Sequence, residues 1–220
     1  MCKDLKNIAV LVSGGGTNLQ ALIEGTEKNL INGKVSVVIS NRKNAYGLER
    51  AKLHNIESIY IRGDNISVEE FDEKLIKELK SRNIDLVVLA GFLKILGRDF
   101  IKTFENKIIN IHPSLIPSFC GDGFFGIKVH EKALEYGVKI SGATTHFVSE
   151  IPDEGPIIMQ KSLEVFDEDT PESLQRRVLN IEHEILVESI REFCNDNLKV
   201  IGRIVKRGND EKESTDFSLW

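Results

Sequence analysis

Cysteine is scarce and follows no pairing pattern. The 220 residues include three, Cys2, Cys120 and Cys194, an odd number without C-x-x-C spacing. That usage argues against a disulfide framework and against a zinc site. It fits a reducing, cytoplasmic setting, and no metal is expected. Positive charge is not in excess either. The formal net charge is −5, so no global basic field would gather nucleic acid or an anionic membrane, and neither is expected as a partner. Any anionic ligand must be held locally. No apolar run approaches the ~20 residues of a spanning helix. Met1 to Lys6 lead straight into a strand-like segment without a long apolar stretch, so neither a signal peptide nor a membrane span is expected. A glycine cluster near the start lacks the Gly-Lys-Ser/Thr ending of a Walker loop and the full G-x-G-x-x-G order of a dinucleotide fingerprint.

What is present reads as an α/β chain. With 41% hydrophobic and 29% charged residues, a single large domain with an ample core is expected, followed by a tail. Ile8–Val12, Val35–Ile39 and Leu86–Ala90 are continuous, largely β-branched runs, the pattern of strands buried on both faces of a parallel sheet. Ser58–Ile61 and Lys107–Asn110 are weaker members of the set. Between Ile61 and Leu86 lies a helix, with Ser67 and Glu70 as a capping box and Val68, Phe71, Leu75, Ile76 and Leu79 on one face. The alternation predicts βαβ units and a Rossmann-like, doubly wound, mostly parallel sheet.

After Pro113 the character changes. Pro117, Gly121, Gly123 and Gly126 punctuate a loop carrying Phe119, Phe124 and Phe125, the composition of a lid or binding loop. Gly142–Val148 and Pro156–Gln160 are further strands, antiparallel across the turn Ser149–Gly155. A long helix follows from about Pro171 to Cys194, with Leu174, Val178, Ile181 and Ile185 as its core stripe. The expected domain covers residues 1–197, with a substrate half to about 105 and a catalytic half after it. Residues 198–220 form a polar, partly disordered extension in which Leu198–Ile201 could add an edge strand. The Lys199, Arg203, Lys206 and Arg207 cluster reads as a solvated face.

Three places carry chemistry. Asn110 and His112 stand two apart on a strand that Pro113 must end, so both side chains leave on one face at its carboxyl end. There an amide can hold an oxyanion while an imidazole handles a proton. Ser13-Gly14-Gly15-Gly16-Thr17-Asn18 lies between the first strand and the first helix, where backbone N–H groups can approach a phosphate. Asp153, in the turn between late strands, would hold His112 protonated and raise its pKa towards neutrality or above if the two met. Spacing alone does not prove that contact. His54 and His130 read as solvated helix-surface residues and His183 as decoration of the long helix. His146 is either a brace for the site or a satisfied core histidine. Cys120 reads as inert.

These segments resemble a known family. Val12–Gln20, Ser40-Asn41, Ala45–Ala51, Leu89–Leu96, Asn110-Ile111-His112-Pro113-Ser114-Leu115-Ile116-Pro117, His146–Val148 and Asp153–Ile158 look like the ordered motifs of the phosphoribosylglycinamide formyltransferases. The likeness runs from about Asn7 to Cys194. It implies Asn110, His112 and Asp153 as a catalytic trio and the Ser13–Asn18 loop, with Glu182, as contacts to glycinamide ribonucleotide. Leu93, Lys94, Ile95, Leu96 and Asn110, with Ser149, Glu150, Ile151, Pro152 and Asp153, would contact 10-formyltetrahydrofolate, the formyl donor. Glu154, Leu179 and Val68 depart from the family's pattern, and the Phe119–Gly126 loop is atypical.

The implied reaction is direct transfer in purine biosynthesis. The substrate amine attacks the formyl carbon, Asn110 and protonated His112 stabilise the oxyanion, and Asp153 orients His112. The small molecules are the expected partners, with the protein a monomer or homodimer. A formyltetrahydrofolate hydrolase or a methionyl-tRNA formyltransferase would share this chemistry, but each carries a further domain for which 220 residues leave no room. A Rossmann oxidoreductase would want an acidic residue where Ser40-Asn41-Arg42 stands. A phosphoribosyl-ligand sensor would need no His112.

Overall fold

The computed structural model describes residues 5–208. The buried runs become parallel strands: β1 (Lys6–Val12), β2 (Gly33–Ser40), β3 (Glu57–Tyr60), β4 (Leu86–Leu89) and β5 (Ile108–His112). Two antiparallel strands, β6 (Ile140–Phe147) and β7 (Ile157–Glu164), extend the sheet beyond β5. A hairpin of β8 (Leu198–Ile201) and β9 (Ile204–Arg207) closes the edge, giving the order β3-β2-β1-β4-β5-β6-β7-β9-β8. The fold is the expected doubly wound α/β sheet with antiparallel strands in its C-terminal part. The extension expected from residue 198 therefore begins as two strands, one more than the edge strand read from Leu198–Ile201. Its basic residues Lys199, Arg203 and Lys206 are exposed. Beyond Gly208 the expected polar tail lies outside the described residues.

Period-2 alternation along the strands divides the core into two layers. Val10, Val12, Val38, Val88, Ile109 and Ile111 face α1 (Thr17–Glu27), α2 (Tyr46–Leu53), α5 (Ile127–Tyr136) and α6 (Pro171–Cys194). Leu11, Val37, Ile39, Val87, Leu89 and Ile108 face α3 (Val68–Ser81) and α4 (Arg98–Thr103), where Phe71, Leu75, Leu79 and Phe100 are fully buried.

The helix ends follow their caps. In α6, the Thr170 and Ser173 side chains each accept from the other's backbone N–H, and Pro171 begins the helix, where no N–H is missed. In α3 only half of the expected capping box forms. The Ser67 side chain accepts from the Glu70 N–H, but the Glu70 carboxylate turns outward to Lys74 at 2.7 Å. An i,i+4 partner in solvent competes successfully with the return bond.

Candidate active site

Strand parity places the first pair. Ile108 packs on the α3 side and Asn110 and His112 continue the same face, while Ile109 and Ile111 point to the α6 side. Antiparallel pairing sets His146 opposite Asn110 and Thr144 opposite His112. His146 Nδ1 lies 2.9 Å from the Phe147 carbonyl, which can only accept, so Nδ1 carries the proton. Nε2 is then an acceptor, and the Asn110 amide donates to it at 3.2 Å. His146 thus both braces Asn110 and is a satisfied buried histidine, uniting its two sequence readings.

The turn after β6 brings Asp153 to the pair. Asp153 adopts a left-handed backbone, φ 56°, a conformation aspartate tolerates better than most residues. The turn packs so tightly that a Cβ on Gly155 would lie 1.6 Å from the Phe147 carbonyl oxygen, which makes glycine obligatory there. Asp153 Oδ2 accepts from the Gly121 N–H at 2.8 Å and lies 3.5 Å from His112 Nδ1. Its Oδ1 lies 3.4 Å from the Asn110 amide nitrogen. Burial alone would raise the Asp153 carboxyl. Contacts with His146, His112 and the Gly121 N–H outweigh it and hold the group below its ordinary value, as a carboxylate.

His112 corrects an expectation. Its pKa falls below 6.5, because desolvation outweighs the opposing pull of Asp153 and the bond to the Phe119 carbonyl. Asp153 does favour the imidazolium, but burial of a side chain only 5% exposed favours the neutral ring more. His112 Nε2 lies 2.9 Å from the Phe119 carbonyl, so in the neutral ring Nε2 is the protonated nitrogen.

The glycine loop sits at the head of α1. Gly16 has φ 70°, and a Cβ there would come within 2.9 Å of the Gly47 Cα. Gly14 and Gly15 are exposed with open space above them. Ser13 turns inward, against the expectation of a substrate contact. Its hydroxyl donates to Asn41 Oδ1 at 2.7 Å and accepts from the Leu93 N–H at 2.8 Å, so it ties three loops together. Asn18 donates to Glu182 Oε2 at 2.8 Å, fastening α6 to the head of α1. Burial raises the Glu182 carboxyl, with the Asn18 bond opposing.

One cavity of about 820 Å³ joins these parts. Its wall includes Asn110, His112 and Asp153, Thr17, Asn18 and Glu182, all of Leu93–Leu96, and Ser149, Glu150 and Pro152. Ser13, Gly14, Gly15 and Gly16 do not line it, nor does Ile151, which is 56% exposed. The wall also includes Gly121–Gly126, fitting the binding-loop reading of that segment, and Arg176 of α6.

His130 lines the cavity too and corrects a second expectation. It is 1% exposed, neither ring nitrogen has a hydrogen-bond partner among the described residues, and burial pushes its pKa down to about 4. The signal lay in Val129 and Ala133, which share its buried helix face. His54 and His183 are half-buried, not fully solvated. His54 Nδ1 is 2.7 Å from Glu27, while His183 Nε2 is buried without a partner among the described residues. Cys120 donates to the Pro117 carbonyl and its thiol is raised by burial, in keeping with an inert reading. Among the described residues no group of three or more His, Cys, Asp or Glu is placed to hold a metal ion.

A family model described as formyl transferase matches residues 6–190. The phosphoribosylglycinamide formyltransferase of Escherichia coli is 40% identical over 195 residues, covering 88% of this chain and 90% of that protein. The crystal structure of glycinamide ribonucleotide transformylase 1 from Symbiobacterium toebii superposes with a TM-score of 0.88 at 42% identity, over 93% of this chain and 94% of that one. A formyltetrahydrofolate deformylase from Pseudomonas syringae pv. tomato also shares the fold, with a TM-score of 0.84. Its identity is lower, 26%, and the match covers 94% of this chain but only 67% of that one.

Proposed function

This chain belongs to the formyl transferase family, and we propose that it transfers the formyl group of 10-formyltetrahydrofolate to the glycinamide amine of phosphoribosylglycinamide in purine biosynthesis. The observation that carries this reading is the shared cavity, with Asn110, His112 and Asp153 at one end and the head of α1 with Glu182 at the other. A bisubstrate transfer needs both ends at once. A deformylase needs no acceptor site, and the lower identity to the deformylase agrees.

The chemistry follows from the contacts. The amine attacks the formyl carbon and the carbonyl electrons move onto oxygen. We assign the Asn110 amide and the His112 Nε2–H as donors to that oxyanion. In the free protein the amide is shared between His146 and Asp153 and the ring is bound to the Phe119 carbonyl, so the charged oxygen takes the place of a partner of each. The Phe119 carbonyl oxygen, 2.9 Å from Nε2, stands in for the formyl oxygen, which displaces it as the stronger acceptor once charged. As the imidazolium, His112 passes its Nε2 proton to the departing folate nitrogen, and the vacated Nε2 takes the proton that leaves the attacking nitrogen, so the ring ends as it began. Burial opposes that charge in the free protein, and Asp153, 3.5 Å from Nδ1, stabilises it. The folate ring system is assigned to Leu93–Leu96 and the Ser149–Asp153 turn.

The test is an assay of the purified protein with phosphoribosylglycinamide and 10-formyltetrahydrofolate, run beside formate with ATP and beside the folate alone. Formyl transfer dependent on the amine is expected. Release of formate from the folate alone at a comparable rate would favour a deformylase.

A further inference from the structure

The cavity's charge does not match the acceptor it is proposed to take. Its wall holds the carboxyl groups of Asp122, Glu150, Asp153, Glu172 and Glu182 against only two lysine or arginine side chains, Lys94 and Arg176. A sugar phosphate brings roughly two more negative charges at neutral pH. Lys94 is already engaged, with Nζ donating to the Gly63 carbonyl at 3.0 Å and lying 5.0 Å over the Phe71 ring. Arg176 is exposed, and among the described residues no ion pair or hydrogen bond engages its guanidinium. Its neighbour Arg177, by contrast, is bound to Asp169 and to the Glu164 carbonyl.

Position separates the acceptor's parts. Arg176, Leu179 and Glu182 follow at three-residue steps along one side of α6, and all three line the cavity. Glu182 is tied to Asn18 at the head of α1. Asn18 is 7% exposed, and among the described residues its Oδ1 is a buried acceptor without a protein donor. Two acceptors side by side, the Asn18 carbonyl and the Glu182 carboxylate, suit sugar hydroxyls and repel a phosphate. Arg176 starts about 9 Å along the helix from Glu182, and a guanidinium can meet a phosphate with paired N–H donors. Thr17 and Asn18, the first residues of α1, line the same cavity, at the end of a helix that favours an anion. Leu179, between the two, offers no polar group.

We propose that Arg176 neutralises the phosphate of the sugar-phosphate acceptor and so sets the preference for phosphorylated over unphosphorylated acceptors, an inference that rests on the transferase reading above. The test replaces the cation at similar size, Arg176→Gln, and compares KM and kcat for phosphoribosylglycinamide and for its unphosphorylated riboside. A charge-assisted bond of the expected strength predicts a KM for the phosphorylated acceptor ~10- to 100-fold higher, with kcat within about twofold. The riboside and the folate donor should be unaffected, and Arg176→Lys should recover part of the loss. Equal losses on both acceptors would overturn the proposal. So would a loss confined to the folate, which would place Arg176 at the donor's carboxylates. Calorimetry with ribose 5-phosphate keeps this separate from the function itself. A wild type that fails to formylate the acceptor sinks the transferase reading, while ribose 5-phosphate binding weakened ~10-fold by Arg176→Gln still supports the phosphate contact, and unchanged binding sinks it.

Discussion

The two ends of the cavity are built differently. At the β5 end, Asn110 is held between His146 and Asp153, Asp153 by the Gly121 N–H, and His112 between Asp153 and the Phe119 carbonyl. At the α1 end, among the described residues, Asn18 Oδ1 is buried without a partner and no hydrogen bond or ion pair engages Arg176. Chemistry gains from groups fixed before the reaction, because reorganising dipoles during the barrier crossing costs rate. Binding gains from groups left to be completed by the ligand, which then has something to satisfy. Substitutions at the first end should therefore act mainly on turnover and those at the second mainly on affinity.

The largest departure is expected from His112→Ala. Loss of an oxyanion donor and of the proton relay should lower kcat by ~10²- to 10⁴-fold, with calorimetric affinity for both substrates within a few fold. A kcat near that of the wild type would remove His112 from the chemistry. An affinity loss as large as the rate loss would erase the contrast between the ends.

A smaller effect, ~10²-fold on kcat at pH 7, is expected for Asp153→Asn, because it removes a charge but spares the donors. Burial already lowers the His112 pKa and Asp153 opposes that fall, so loss of the carboxylate should lower it further. Histidine NMR titration of both proteins, with His112→Ala to assign the resonance, reads this directly. A pKa that does not move would reduce Asp153 to a turn residue.

Much of this arrangement was legible in the residues, and the remainder has identifiable physical causes. Parity alone put Asn110 and His112 on one face, and Pro113 ended the strand. Helix α6 runs from Pro171 to Cys194 as its spacing predicts, because its cap and stripe are both local signals. Contacts made by chain reversal were out of reach: Asp153 meets Asn110 across 43 positions, and no spacing rule spans that. The sign of the His112 shift is illegible in the sequence for a related reason. Charge attraction can be read from residue types, but desolvation depends on how deeply the fold buries the ring. Ser13 reads as a ligand contact in the sequence because glycine loops usually bind anions, yet its hydroxyl ties the loops behind the site. The β9 strand escaped notice because Ile204–Arg207 is short and half exposed.

His130 tests where the reaction end stops. It lines the same cavity but has no partner among the described residues for either ring nitrogen, as at the α1 end. Its folded pKa of about 4 lies below the ordinary 6.5, so between those values the unfolded chain binds the proton and the folded chain does not. Stability should then be intact above pH 6.5 and fall as pH drops towards 4, by about 3 kcal/mol in all from this one group. His130→Phe removes the titrating ring at similar volume. Denaturant melts across this pH range should show that slope flattened, and at pH 7 the variant should equal or exceed the wild type, since an unsatisfied buried polar group is gone. Turnover should change by less than about tenfold, because no proposed step uses this ring. A larger loss of kcat with intact affinity would move His130 into the preorganised end, whereas an unchanged pH slope would mean that its buried ring is protonated as readily as an exposed one.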